Sequence, residues 1–274
     1  MGRFLAPAKI NLTLHVTGQR DDGYHLLDSL VMFADKGDRI SVSLAEETSL
    51  QVEGRMSDGV PVDETNLMVR AARLMDVPVA MKVKKKLPNA AGLGGGSSDA
   101  AAVLTAISLI TGKPIPEHAI ELGADVPVCL KRSAARMRGI GDRIDTVPSM
   151  PSLEAVLVNP GRPVPTKAVF EHLEKKENPP MPDELPRGKT ASQLVEWLAT
   201  MRNDLQAPAM AAEPVIAQVF DTLSKTPGCM LTRMSGSGGT CFGIYSDKET
   251  ARAAAGRLRE QNPGWWVTAT TLNA

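Results

Sequence analysis

Apolar residues recur at every second position through Ile10, Leu12, Leu14 and Val16. That is the period of a strand with one buried face. Gln19-Arg20-Asp21-Asp22-Gly23 then supplies turn residues. Leu26–Phe33, Arg39–Leu44, Leu50–Glu53 and Val79–Val83 read as further strands. A helix is expected over Asn66–Leu74, with Asp63 or Thr65 as its N-cap, and another from about Ser98 to Ile110. A strand is expected at Leu153–Asn159. After it, helical stretches (Thr190–Thr200, Pro214–Lys225, Lys248–Asn262) alternate with strands (Met230–Met234, Cys241–Tyr245, Trp265–Thr271), the order of a small α+β layer. Pro148 and Pro151 place a domain boundary within Thr146–Ser152, so residues 1–149 and 150–274 are expected to form two domains. Glu177–Lys189, rich in proline and charge, reads as a surface loop.

Two glycine clusters interrupt this pattern. The first, Gly92-Leu93-Gly94-Gly95-Gly96-Ser97-Ser98-Asp99, stands between a strand and a helix. Glycine costs backbone entropy, so a cluster implies a difficult turn or a ligand that the backbone approaches closely. Successive N–H groups without side chains can converge on an anion, and the following helix adds free N–H groups and partial positive charge. Ser97 and Ser98 add hydroxyls for a phosphate or a magnesium ion. The familiar nucleotide loops do not fit. A P-loop ends in Gly-Lys-Ser/Thr, and here the chain has Gly-Ser-Ser. A dinucleotide loop needs a third glycine where Ser97 stands and an acid closing the next strand; Glu117 follows Pro114 and Pro116 instead. The plainer alternative is a helix-capping glycine turn. The second cluster, Ser235-Gly236-Ser237-Gly238-Gly239-Thr240, lies between two strand-like runs and could be a hairpin loop. Together the two suggest one polar ligand.

Composition narrows the class. The 274 residues are 43% hydrophobic, enough for a substantial core, and 31 Lys and Arg balance 31 Asp and Glu, which disfavours a dedicated nucleic-acid binder. The basic run Lys82, Lys84, Lys85, Lys86 can be a solvated strand face. Three widely spaced cysteines form neither a disulfide framework nor a zinc spacing. With no signal peptide and no long apolar run, a cytoplasmic protein without membrane contact is expected, as a monomer or weak homodimer.

Pro7-Ala8-Lys9-Ile10-Asn11-Leu12, the Ala91–Ala101 loop and the Ser235–Thr240 loop, in that order, resemble the three motifs of the galactokinase, homoserine kinase, mevalonate kinase and phosphomevalonate kinase superfamily. Asp22-Gly23-Tyr24-His25-Leu26-Leu27-Asp28-Ser29, Leu122-Gly123-Ala124-Asp125-Val126-Pro127 and Asn159-Pro160-Gly161 with Pro165-Thr166 resemble, within it, the kinases acting on 4-diphosphocytidyl-2-C-methyl-D-erythritol. The resemblance implies an α+β, two-domain kinase with an N-terminal nucleotide-binding domain, a C-terminal ferredoxin-like domain and an active site in the cleft between them. It implies ATP as phosphoryl donor, transferred to the 2-hydroxyl of that small-molecule substrate.

On the matched motifs, Asp125 is the catalytic aspartate, which accepts or orients the substrate hydroxyl proton; the alternative is a capping Asp. Lys9 beside it would keep the carboxylate charged and offset phosphoryl charge. Asn11, on the same strand face as Lys9, would bond substrate hydroxyls. Tyr24 would stack on the cytosine and His25 would meet its edge. Thr166 and Phe170, with Gly236, Ser237 and Gly238, would complete the substrate site, Phe170 as the opposite stacking face. Asn66, Leu67 and Lys85 match the adenine region, and Gly92, Gly94, Gly95, Gly96, Ser97 and Ser98 the phosphate loop. Asp99 would complement the helix dipole. His15, His118 and His172 read as ordinary surface or strand residues. No D-x-D cage exists, so no protein metal cluster is expected; magnesium would be held by ATP phosphates, water and Ser98. The short segment Thr111–Glu121, with Pro114 and Pro116, would truncate the helix leading to Asp125. Another superfamily kinase, for homoserine or mevalonate, would not need the Gly-Tyr-His segment. A non-catalytic nucleotide sensor would not need both Lys9 and Asp125.

Overall fold

The computed structural model describes residues 2–186 and 188–273. They form two compact units interleaved along the chain. The first takes the residues up to Lys9 with Lys36–Asn89 and Gly94–Arg132; the second takes Ile10–Asp35, Ala90–Leu93 and the residues from Ser133 onward. Division at residues 149 and 150 follows chain order, whereas these units do not.

In the first unit, β5 (Val79–Lys84) pairs in parallel with β4 (Ser49–Glu53) and antiparallel with the last part of β3 (His25–Leu44). Helices α1 (Leu67–Leu74) and α2 (Gly95–Thr111) share a core with Ile40, Val42, Val79, Met81 and Val83. α2 is buried on nearly every side, which its alanines Ala100, Ala101, Ala102 and Ala106 permit by keeping it thin. The N-cap of α1 is Asn66, whose Oδ1 accepts from the Met68 N–H at 2.8 Å, and not Asp63 or Thr65. α2 begins at Gly95, ahead of the expected Ser98, because Gly94 caps it at φ 61°. First-turn N–H groups have no intrahelical partner, and φ above zero suits glycine. The approach to Asp125 is reduced to a 3-10 turn, Glu117–Leu122, behind Pro116.

The second unit carries β8 (Leu153–Asn159), β9 (Cys229–Met234), β10 (Cys241–Tyr245) and β11 (Trp266–Asn273) in the order β11-β8-β10-β9, every neighbour antiparallel. Helix α7 (Val215–Ser224) precedes β9, and α8 (Lys248–Gln261) joins β10 to β11. This strand–helix–strand–strand–helix–strand path is the ferredoxin-like arrangement. Helix α5 (Ala191–Ala199) starts on a reciprocal capping box between Thr190 and Gln193.

Further expectations change in the strands. Leu26–Phe33 and Arg39–Leu44 are one strand of 20 residues. The polar stretch between them stays extended because Gly37, without a side chain, lies on the backbone of Ala6 and Pro7. The Ile10–Val16 alternation is split between β1 (Gly2–Asn11) and β2 (His15–Gln19), and both faces are buried. Its polar members face partners, not water: Lys9 meets Asp125, Asn11 meets Ser29, and Thr13 accepts from the Leu30 N–H. His15 is likewise buried, with Nδ1 3.3 Å from the Pro179 carbonyl.

The proline-rich loop is pinned. Asp28 accepts two bonds from Arg136, at 2.8 and 2.7 Å, and one from the Met181 N–H at 2.9 Å. Arg136 also donates to the Met181 and Pro182 carbonyls, and Met181 is buried. Removing one member of a buried ion pair strands the other, so Asp28→Ala should lose about 3–5 kcal/mol of stability in urea unfolding. A change below 1 kcal/mol would mean that water already compensates Arg136.

Candidate active site

The first unit gathers a glycine turn at the start of α2 and an ion pair. Lys9 Nζ donates to Asp125 Oδ1 at 2.7 Å. Lys9 is buried, whereas the Asp125 side chain keeps 31% of its exposure. Asp125 precedes α3 (Val126–Lys131) but its side chain makes no capping bond, so the capping alternative fails. Gly94 lies on this pair: a Cβ there would stand 3.3 Å from Lys9 Cβ and Cε and 3.5 Å from Asp125 Oδ2. Its side-chain-free surface lets the loop reach both groups.

Among the described residues no side chain caps α2, and the first-turn N–H groups of Gly95, Gly96 and Ser97 have no intrahelical partner and point where an anion can bind. A Cβ on Gly96 would touch Leu67 at 3.7 Å, and one on Gly95 would lie 3.9 Å from Lys85 Nζ. Leu67 and Lys85 therefore border the loop. Asn66 is already engaged, donating to the Pro61 carbonyl at 2.7 Å besides capping α1. Ser98 Oγ is buried and finds no hydrogen-bond partner among the described residues. Among those residues no three His, Cys, Asp or Glu side chains cluster as a metal site.

Lys85 and Asp99 are not the solvated lysine and dipole acid that the sequence allowed. Lys85 Nζ lies 2.5 Å from Asp38 Oδ2 and 2.7 Å from Asp99 Oδ2, all three buried. Asp38 Oδ1 also accepts from the N–H groups of Lys86 and Leu87. Burial opposes the charge on Lys85, but the two carboxylates outweigh it and raise its pKa. Two carboxylates share one ammonium. Asp99 keeps one bond and a buried, unpartnered Oδ1, and burial pushes its pKa up to about 7.

In the second unit the two glycine clusters meet backbone to backbone. A Cβ on Gly92 would fall 2.3 Å from the Ser235 carbonyl oxygen and 2.8 Å from that of Gly238. Ser235 Oγ donates to the Gly92 carbonyl at 2.8 Å and accepts from the Asn11 N–H at 3.1 Å. Asn203, which the sequence did not single out, donates to the Met234 and Gly236 carbonyls at 2.8 and 2.9 Å. Asn159 Nδ2 donates to Thr240 Oγ1 at 3.0 Å, tying the Asn-Pro-Gly turn to the second loop. Thr166 and Ser237 hydroxyls are 2.9 Å apart.

The stacked rings are those of His25 and Phe170, with centroids 4.4 Å apart and planes 20° from parallel. Tyr24 is 63% exposed. Burial, then the nearby Lys176 charge, holds His25 below its ordinary pKa, so at neutral pH its ring offers one donor and one acceptor. Nε2 is buried without a partner among the described residues.

Residues 66–141 match the family described as GHMP kinases N terminal domain, and residues 186–264 that described as GHMP kinases C terminal. A homoserine kinase from Cytophaga hutchinsonii shares the fold at TM-score 0.71 and 16% identity, over 99% of this chain and 94% of that one. Fold and matches define the class, a two-domain α+β small-molecule kinase. A solved 4-(cytidine 5'-diphospho)-2C-methyl-D-erythritol kinase superposes at TM-score 0.82 with 32% identity, over all of both chains. Relatives named 4-diphosphocytidyl-2-C-methyl-D-erythritol kinase are 53% identical in Dinoroseobacter shibae, over 97% of this chain and 93% of the relative, and 52% identical in Ruegeria pomeroyi, over 95% of each. The chain belongs to the 4-diphosphocytidyl-2-C-methyl-D-erythritol kinase family.

The Lys85 cluster makes a prediction about pH. Asp99 is raised from 3.8 to about 7, so the folded state holds a proton that the unfolded chain has released. The resulting stabilisation is full below about pH 4 and is lost as pH rises through about 7. Asp99→Asn, neutral throughout, should flatten the fall in urea midpoint between pH 5 and pH 8. An unchanged slope would place the proton elsewhere.

Proposed function

We propose that this chain transfers the γ-phosphoryl group of ATP to the 2-hydroxyl of 4-diphosphocytidyl-2-C-methyl-D-erythritol, a step of the non-mevalonate route to isoprenoid precursors. Family membership carries the reaction class. The observation that carries the chemistry is the Lys9–Asp125 pair under Gly94. Asp125 Oδ1 is taken by Lys9, which leaves Oδ2 to accept the proton of the attacking hydroxyl. The ammonium of Lys9 offsets charge on the transferring group and fixes the carboxylate. The free N–H groups at the start of α2 hold ATP phosphates, with Leu67 and Lys85 bordering them.

Magnesium spreads charge between nucleotide phosphates in such transfers. The buried, unpartnered Ser98 Oγ is a suitable hard oxygen donor. On the substrate side, Asn11, Thr166 and the Gly236–Gly238 turn serve the diphosphate and polyol, and the Tyr24, His25 and Phe170 rings serve the cytosine. The His25–Phe170 stack supports a variant of the expected sandwich in which the base enters against His25 or parts the two rings. The same reading covers a cytoplasmic monomer or weak homodimer and the division at residues 149 and 150, which falls between the two family matches. Among the described residues no helix is long and apolar enough to cross a membrane.

The test is ADP release with Mg²⁺, ATP and the cytidyl substrate, beside homoserine and mevalonate. Turnover with the cytidyl substrate alone is expected; turnover with either other acceptor instead would reassign the specificity. Asp125→Asn should lower kcat by roughly 10²–10⁴-fold with ATP affinity nearly unchanged, and an unaltered kcat would remove Asp125 from the chemistry. Phe170→Ala should raise KM for the cytidyl substrate by about 5- to 100-fold, the range of one base–aromatic stack. A level KM would make the His25–Phe170 pair structural.

A further inference from the structure

The amide of Asn11 is oriented by hydrogen-bond polarity. The Thr13 carbonyl oxygen can only accept, and Ser29 Oγ lies 2.5 Å from it. A serine hydroxyl has one proton, so Ser29 donates it to Thr13 and keeps only lone pairs. Asn11 Nδ2 stands 2.8 Å from the same Oγ. Reversing the amide would require the Ser29 proton for Asn11. Two oxygens would then meet at 2.5 Å with no hydrogen between them. The Thr13 hydroxyl offers no relief, since it accepts from the Leu30 N–H at 2.9 Å and donates to the Met181 sulfur at 2.9 Å. Asn11, Ser29 and Thr13 are 4%, 2% and 0% exposed, so their pairing is set within the protein rather than by bulk solvent.

Asn11 Oδ1 is therefore the acceptor left over. It is buried without a partner among the described residues. It faces Gly236, where a Cβ would lie 3.3 Å away. An acceptor buried and unpaired is costly to keep unless a ligand donates to it.

We propose that Ser29 is a positioning residue that fixes Asn11 as a hydrogen-bond acceptor, so that Asn11 selects a hydroxyl of the substrate's methylerythritol moiety. Phosphate and carbonyl oxygens, having no proton to give, are turned away from this point. The proposal rests on the functional reading above. A diphosphate linkage carries only acceptors, and the aromatic rings already serve the base. The polyol hydroxyls are the remaining donors near the reacting end, and Asn11 follows Lys9 by two residues on β1.

The experiment uses the cytidyl substrate and three analogues, each with one methylerythritol hydroxyl replaced by fluorine, which cannot donate. Dissociation constants are measured by calorimetry on the wild-type chain and on Ser29→Ala, with KM and kcat for the parent substrate. In the wild type, one analogue should bind roughly 5- to 100-fold more weakly than the parent. Ser29→Ala should raise KM for the parent with kcat and the KM for ATP unchanged, and should lose little further affinity with that analogue. Ser29→Thr, which keeps the hydroxyl, should recover part of the loss. Three fluorinated analogues that all bind like the parent would overturn the proposal, and so would equal penalties in wild type and Ser29→Ala. If Ser29→Ala does not fold, the wild-type analogue series and Ser29→Thr decide alone. Failure of the parent itself to bind or turn over on folded wild type would overturn the functional reading, and with it the proposal.

Discussion

The Lys9–Asp125 ion pair constrains everything around it in the first unit. The turn that lies on this pair is glycine: a Cβ at Gly94 would press on the Lys9 side chain at 3.3 Å and meet Asp125 Oδ2 at 3.5 Å, and the φ of 61° disfavours any side chain there. Gly94 also turns the chain into α2. One glycine thus both lies against the ion pair and sets the start of the helix. The 3-10 turn at Glu117–Leu122, behind Pro116, leads the chain to Asp125.

Elsewhere the structure uses hydroxyl polarity to give soft side chains one meaning. Ser29 donates to a carbonyl and so must accept from Asn11. Ser235 donates to Gly92 and so must accept from the Asn11 backbone. Asn203 spends its amide protons on the end of β9 (Met234) and on Gly236 of the second glycine loop, and its oxygen on the Leu205 N–H. Buried amides and hydroxyls satisfied in this way hold a loop in one conformation, because any rearrangement strands a polar atom.

Buried charge plays a different part. Arg136 with Asp28 fastens the proline-rich loop, and Lys85 with Asp38 and Asp99 joins the strand before the first glycine loop to the helix after it. Arg233 is buried on three carbonyls, those of Leu12, Leu198 and Met201. Burial pushes its pKa down to about 10, which leaves it charged at neutral pH. Each charge reaches segments far apart in sequence, which is why a basic run or a proline-rich loop looks solvated until its partner is known.

The sequence by itself determined the local and the strongly periodic. The stretch from Thr190 marked α5, the alternating helices and strands after Leu153 marked a small α+β layer, and glycines before a helix marked a candidate anion loop. Each of those signals is written within a few residues, where propensity and capping act. The ferredoxin-like arrangement was implied by the resemblance, not by the alternation. Motif order further identified Lys9 and Asp125 as a pair, though 116 positions separate them. Tertiary structure alone decided which polar residues are sealed inside. Nothing near Asp38 foretells Lys85, Ser29 does not announce Thr13, and the polar face of Lys9, Asn11, Thr13 and His15 looks solvent-bound by period alone. Burial and hydrogen-bond direction depend on what the rest of the chain packs against these residues, and a period of two is the same whether the partner is water or protein.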